Sequence, residues 1–225
     1  MQQRLRLLMA AELALLPLTN QSLSETRQTW KVLRIFRRVR EHPRETPPSE
    51  ARLAERQYTE AAARAGVSPA RVETIVKRWM YGRPIKYLHV CKQAGLDELL
   101  GCLERRRVPR GVFWGYPVEE KVSALGMATA ISLKIYAADP DVNAFKPLTV
   151  GYLKACAHWG LSLEEVLHVG DRTEVDAAGA QACGMPCVIV GRRSPRGDVK
   201  TCRECYACLP NFRELDRELH RDPVA

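Results

Sequence analysis

Through the first eighty residues, apolar positions recur at intervals of three and four. Leu5, Leu8, Met9 and Leu13 share a side with Glu12, and Trp30, Leu33 and Phe36 share one with Arg37. That spacing predicts amphipathic helices following one another, with no alternating strand pattern. The stretch 42–49, with Pro43, Pro47 and Pro48, interrupts them. The next helix is expected to start near Ser49, with Glu50 in its first turn. A further start is read at Ser68-Pro69, ahead of Val72, Ile75 and Val76.

Beyond Arg83-Pro84 the pattern changes. Short apolar runs bounded by Gly and Pro alternate with helical stretches: GVFW (111–114), ISLKIYA (131–137), VLHVG (166–170) and PCVIVG (186–191). Strand and helix in alternation predict an α/β fold with a parallel sheet covered on both faces. In such a fold the functional residues lie in loops at the carboxyl ends of the strands.

The run from Val166 to Gly191 carries the most chemistry. Gly170 lets the chain turn at the end of a strand, Asp171 is presented there, and Asp176 opens a helix five residues on. Two carboxylates converging at a strand end suit Mg²⁺, which takes one or two protein carboxylates together with waters and substrate phosphate. A simpler reading makes Asp171 only a helix cap. Gly179, Ala180, Ala182 and Gly184 are small enough for the following helix to pack closely before Pro186.

This run resembles the fourth motif of the haloacid dehalogenase (HAD) superfamily, Gly-Asp-x-x-x-x-Asp followed by a Gly-Ala-rich helix. Gly170, Asp171 and Asp176 match it position for position. Upstream, NAFKPLTVGYLKACAHWGL (143–161) is similar to the family's third motif, a Lys-Pro opening a helix, and Lys146 stands 25 residues before Asp171. The segment GVFWGYPVEEKVSALGM (111–127) is similar to the second-motif strand of a phosphoglycolate-phosphatase-like subgroup, Gly-Val-x-Ser-Asp-Tyr-Pro with a following Lys-x-x-Ala-Leu-Gly. Gly111, Val112, Tyr116, Pro117, Lys121, Ala124, Leu125 and Gly126 agree with it.

The resemblance implies a Rossmann-like HAD core with an N-terminal helical cap, residues 1–80 forming the cap and 81–225 the α/β core. It implies a Mg²⁺-dependent phosphatase of small phosphorylated metabolites, in which Asp171 holds the cation with Asp176 in support, and Lys146 neutralises charge on the phosphoryl group. Two departures matter. Trp114 and Gly115 stand where the second motif has Ser and Asp, at the phosphate site. An indole donates one N–H but is far bulkier than a hydroxyl, so Trp114 is expected either to fill part of that site or to be a core residue at a strand end. The first motif, Asp-x-Asp-Gly-Thr, occurs nowhere in the sequence, so the core is expected to lack its first strand and the Asp nucleophile. Without a carboxylate to form an aspartyl-phosphate the covalent route is closed. The expected protein is therefore an inactive or impaired hydrolase, or alternatively a pseudo-enzyme that binds a phosphorylated ligand or a protein partner.

Composition adds little. An apolar fraction of 46% and a charged fraction of 27% are those of an ordinary globular chain. The net charge of +9 belongs to residues 1–110, with 22 Lys/Arg against 11 Asp/Glu. The basic stretch KVLRIFRRVR (31–40) is read as a helix with Leu33 and Phe36 inward and Arg outward, in preference to a nucleic-acid contact. Cys202, Cys205 and Cys208 form a C-x-x-C-x-x-C run that offers three thiolates to a metal or redox centre, or ordinary thiols on a short strand. The eight cysteines are scattered through a chain large enough to fold without disulfides, which favours a cytoplasmic setting. The opening stretch is basic and leucine-rich, but Glu12 interrupts it, against a signal peptide. No apolar run approaches the ~20 residues that span a bilayer.

Overall fold

The computed structural model describes residues 2–15, 22–41, 52–191, 207–209 and 211–220. Helices α1 (Gln2–Ala14), α2 (Leu23–Glu41), α3 (Leu53–Ala65) and α4 (Pro69–Val76) come first. Ser68 caps α4, its hydroxyl accepting the Arg71 N–H at 3.2 Å with Pro69 in the first turn, as the Ser-Pro pair predicts. The expected break at 42–49 and the helix start near Ser49 lie outside the described residues. Met9, Leu13, Val32, Leu33, Phe36, Val39, Val72, Ile75, Val76 and Trp79 close one apolar core among these helices.

Two details of the helical reading change. Trp30 is 41% exposed and Leu8 is also exposed, whereas Arg40 is buried at 4%. The inward stripe of α2 is therefore Val32, Leu33, Phe36, Val39 and Arg40, and the expectation that its arginines all face outward fails at Arg40. The reason is periodicity: Arg40 lies four residues after Phe36 and seven after Leu33, on the same face.

A wide turn over Lys77–Gly82 and two tight turns, Arg83–Tyr87 and His89–Cys91, lead to α5 (Leu96–Arg105). Strands and helices then alternate: β1 (Gly111–Trp114), α6 (Glu119–Ala124), β2 (Leu133–Tyr136), α7 (Val150–Trp159), β3 (His168–Gly170), α8 (Ala178–Ala182), β4 (Cys187–Val190), β5 (Ala207–Leu209) and α9 (Phe212–His220). The described strands are parallel, as expected, and fall into two sheets. β1 pairs β2, with Gly111 opposite Leu133 and Trp114 opposite Tyr136, and β3, β4 and β5 pair in that order. β1 and β3 are thus edge strands of separate sheets. Tyr152 on α7 ties the two together, packing edge-on against Phe113 of β1 at 5.6 Å and against His168 of β3 at 4.9 Å between ring centroids.

Two expected helix starts are also displaced. Lys146-Pro147 precedes a turn, and α7 begins only at Val150. After Asp171 the chain makes a wide turn over Thr173–Ala177 before the short α8. No helix among the described residues is long and apolar enough to cross a membrane.

Candidate functional site

The end of β3 is organised by one buried side chain. Asp176 is 4% exposed, and both of its carboxylate oxygens are engaged. Oδ2 accepts the backbone N–H of Asp171 at 3.1 Å and of Arg172 at 3.0 Å. Oδ1 accepts from Lys146 Nζ at 2.5 Å and from His168 Nε2 at 3.2 Å. A carboxylate buried in this way is tolerated because it is both paired and fully hydrogen-bonded. Burial alone would raise its pKa, but the His168 hydrogen bond and the Lys146 ammonium outweigh that and hold it well below the usual carboxylate range.

Gly170 is required for the same reason. A Cβ at that position would lie 2.3 Å from Asp176 Cβ and 2.4 Å from its Cγ. The glycine therefore serves a close approach of the carboxylate under the strand end, in place of the expected freedom to turn. Gly179 has a matching role one turn on, where a Cβ would meet the Tyr152 hydroxyl at 2.7 Å. That hydroxyl donates to the Asp176 carbonyl at 3.2 Å.

His168 sits on β3 with its ring against Tyr152. Burial lowers its pKa and the Lys146 charge lowers it further, against the pull of Asp176. The imidazole is therefore neutral near pH 7, with Nε2 carrying the proton it gives to the carboxylate. Its place beside Asp171 and Asp176 had no signal in the sequence beyond its position in the strand.

Asp171 lies at the mouth of this arrangement and is exposed. The protein around its carboxylate and the neighbouring Asp176 push its pKa up, while Lys146 and Arg172 pull it down. Arg172 pairs with Glu174 at 2.7 Å and with Glu41 at 3.5 Å, which ties the loop to the last residue of α2.

Mg²⁺ is the cation the resemblance implies here. Asp176 is committed to four donors and fixes the loop that carries Asp171, so of the two carboxylates at this strand end Asp171 is the one that could ligate the cation directly. One carboxylate with waters and phosphate oxygens is a ligand set Mg²⁺ accepts. No group of three His, Cys, Asp or Glu side chains is placed for a metal among the described residues.

The substituted second-motif pair is close to the helices. Trp114 is half-buried and packs with the apolar cluster of Leu88, Leu100, Val118, Val122 and Leu125, in the manner of a core residue. The Gly115 carbonyl accepts from Arg40 Nη2 at 2.5 Å, and a Cβ at position 115 would lie 2.8 Å from that nitrogen and 3.1 Å from the Phe145 ring. Cys202 and Cys205 of the cysteine run lie outside the described residues. Cys208 belongs to β5 by its backbone. Among the described residues Cys91, Cys102, Cys156, Cys183 and Cys187 are not in disulfides.

A family model described as haloacid dehalogenase-like hydrolase matches residues 18–184. Several solved structures share the fold. A protein from Bacillus subtilis described as a HAD-hydrolase, YfnB, in a magnesium-bound form, superposes with a TM-score of 0.61 at 13% identity, covering 96% of this chain and 92% of that one. A 2-haloacid dehalogenase from Pseudomonas syringae superposes with a TM-score of 0.55 at 21% identity, covering 98% and 89%. CbbY from Rhodobacter sphaeroides, in complex with phosphate, does so with a TM-score of 0.53 at 16% identity, covering 86% and 90%. No curated protein matches the chain.

Proposed function

Because the chain belongs to the haloacid dehalogenase-like hydrolases, we propose that its site descends from a Mg²⁺-dependent phosphatase of small phosphorylated metabolites. We further propose that these 225 residues bind a phosphorylated ligand without turning it over. The observation that carries the reading is the set of contacts at the end of β3, where Asp176 is held by Lys146, His168 and two backbone amides beneath Asp171.

In this reading residues 1–80 act as a cap over the α/β core of 81–225. Asp171 is the carboxylate that would hold Mg²⁺, and Asp176 keeps the loop in shape. Lys146, at the level of the strand ends, contributes positive charge facing the phosphoryl oxygens. When bound, the cation would neutralise phosphate charge and orient it. Turnover also needs a carboxylate nucleophile, and no Asp-x-Asp-Gly-Thr run occurs in the sequence. Trp114 favours binding over catalysis as well, because an indole packed in the core offers no hydroxyl to a transferring phosphoryl group.

The test is turnover of a generic aryl phosphate with Mg²⁺, the chain compared with Asp171→Ala. The expected result is no turnover above that variant, alongside Mg²⁺-dependent retention of inorganic phosphate that Asp171→Ala loses. Mg²⁺-dependent turnover that vanishes in Asp171→Ala would overturn the binding-only reading. Absence of Mg²⁺-dependent phosphate binding would overturn the site itself.

A further inference from the structure

The outer face of α2 is a stripe of cations around an exposed indole. At 3.6 residues per turn, Arg27, Lys31, Arg34 and Arg38 fall on one side of the helix, with Trp30 among them and Arg37 at their edge. All of these side chains are exposed, and Trp30 keeps 41% of its surface in solvent. An open hollow of about 350 Å³ is lined, among the described residues, by Arg27, Trp30, Lys31 and Arg34. Among the described residues no carboxylate ion-pairs with any cation of the stripe. Glu41, at the end of the same face, is engaged by Arg172, and Glu25, off the stripe, lies near Arg71.

The fold does not need this arrangement. The opposite face of α2 supplies the packing, with Val32, Leu33, Phe36 and Val39 buried. Arg27 with Lys31, and Arg34 with Arg38, are like charges four residues apart, which work against a helix. The three-residue spacing from Trp30 to Leu33 places the indole inward, and on that expectation the run is a solvated cap helix. With the indole outward, the same residues form an aromatic platform flanked by positive charge.

Polyanions of several kinds meet basic faces, and the composition of this one selects among them. An anionic membrane takes up the apolar face of an amphipathic helix, and that face of α2 is closed in the core. Leu23 and Trp30 are the apolar side chains left on its exposed side. An acidic peptide would use the cations but has no need of the indole. An unpaired nucleobase strand uses both, because a base stacks on the aromatic ring while the phosphates on either side meet Arg and Lys. In a duplex the bases are stacked on one another and closed to Trp30. From Arg27 to Arg38 the stripe runs about 16 Å along the helix axis, room for several successive phosphates.

We propose that the outer face of α2, with Arg27, Lys31, Arg34 and Arg38 around Trp30, binds single-stranded nucleic acid without sequence preference. The cations take the phosphates and the indole takes a base. The face shares no residue with the Lys146, His168 and Asp176 cluster.

The experiment is fluorescence anisotropy of a labelled oligothymidylate of about twelve nucleotides, titrated with the purified chain at several salt concentrations. EDTA is present throughout to silence any Mg²⁺-dependent binding. Saturable binding is expected, with log Kd rising against log salt at a slope of about 3, from four phosphate contacts at about 0.7 each. Arg27→Ala and Arg34→Ala should each lower that slope by about 0.7. Trp30→Ala should weaken binding about tenfold, and Trp30→Phe should recover most of the loss. Binding should quench tryptophan emission in the parent but not in Trp30→Phe, a signature that a merely structural Trp30 would not give. Arg217→Ala, on α9, should bind as the parent does, which separates this face from the overall charge. Thermal melts accompany the titrations, and Arg27→Ala and Arg34→Ala should melt no lower than the parent, because each removes a like-charge neighbour. The proposal is overturned by no saturable binding at about 50 mM salt, by equal weakening in Arg217→Ala, or by binding indifferent to Trp30→Ala. It is overturned as well if a matching duplex, polyglutamate or phosphatidylserine vesicles displace the labelled strand as readily as unlabelled oligothymidylate does.

Discussion

Lys146 donates to the buried carboxylate of Asp176, thirty residues further along the chain, and so ties the turn before α7 to the loop after β3. Both side chains lie largely out of solvent, 15% and 5% exposed. Removing one partner of such a pair leaves the other uncompensated, at a cost of about 3–5 kcal/mol. Lys146→Met is therefore expected to lower the melting temperature by on the order of 10 °C for a chain of this size. Replacing both partners, as Lys146→Met with Asp176→Leu, should recover part of that loss, because no isolated charge remains. The paired thermal melts decide it, and a double variant that loses the sum of the two single losses would contradict the pairing.

Acid sensitivity follows from the same cluster. His168 has a folded pKa below its ordinary value of about 6.5, so the unfolded chain binds a proton that the folded chain refuses. Stability is then lost as pH falls below about 6.5. Asp176 has a folded pKa below the ordinary carboxylate value, so its contribution is present above about pH 4 and disappears as pH falls through the folded value. Asp171, with its pKa pushed up, works in the opposite direction within the carboxylate range. Denaturant melts between pH 7 and pH 5 cover the histidine range, whose upper end Lys121 shares because burial pushes its pKa down to about 7, so the variant has to separate the two. His168→Gln should flatten the dependence of stability on pH there, and an unchanged slope would show that His168 is not the titrating group.

Gly170 offers a steric test of the same geometry. Gly170→Ala drives a methyl group onto Asp176, whose Cβ and Cγ would be 2.3 and 2.4 Å away. Overpacking of this kind costs about 1–3 kcal/mol, and here it also displaces the carboxylate from its donors. The variant should melt several degrees lower and lose Mg²⁺-dependent phosphate retention together. Normal phosphate retention at a lowered melting temperature would mean that the Asp176 loop tolerates displacement.

Much of this architecture could be read from the chain, and the failures share a cause. The strands at 111–114, 168–170 and 187–190 stand where Gly- and Pro-bounded apolar runs placed them, because those signals are local. Ser68-Pro69 worked for the same reason. Arg40 was misplaced because its residue type suggested solvent while its spacing from Leu33 and Phe36 put it inside. The spacing was the better guide. Among the described residues the strands fall into two sheets with β1 and β3 at their edges, which fits the expectation of a core without the first strand that would stand between them. The grouping of Lys146 and His168 on Asp176 is, by contrast, tertiary. Asp171 and Asp176 were visible only because five residues separate them, and nothing in that spacing said that one would be buried and saturated while the other faced out.

Trp114 tests whether the second-motif substitution is structural. Its indole packs with Leu88, Leu100, Val118, Val122 and Leu125, and Trp114→Ser, which reinstates the family hydroxyl, empties that volume. Large-to-small changes of an aromatic side chain in a core cost about 3–5 kcal/mol, here reduced because the ring is only half-buried. A serine hydroxyl at this position would gain a place to meet a phosphoryl oxygen, yet no nucleophile of the Asp-x-Asp-Gly-Thr kind accompanies it. The expected outcome is a clear drop in melting temperature with no gain in aryl-phosphate turnover. A variant that melts like the parent would place the indole outside the packed core. A variant that acquires Mg²⁺-dependent turnover would overturn the proposal that these residues bind without turnover.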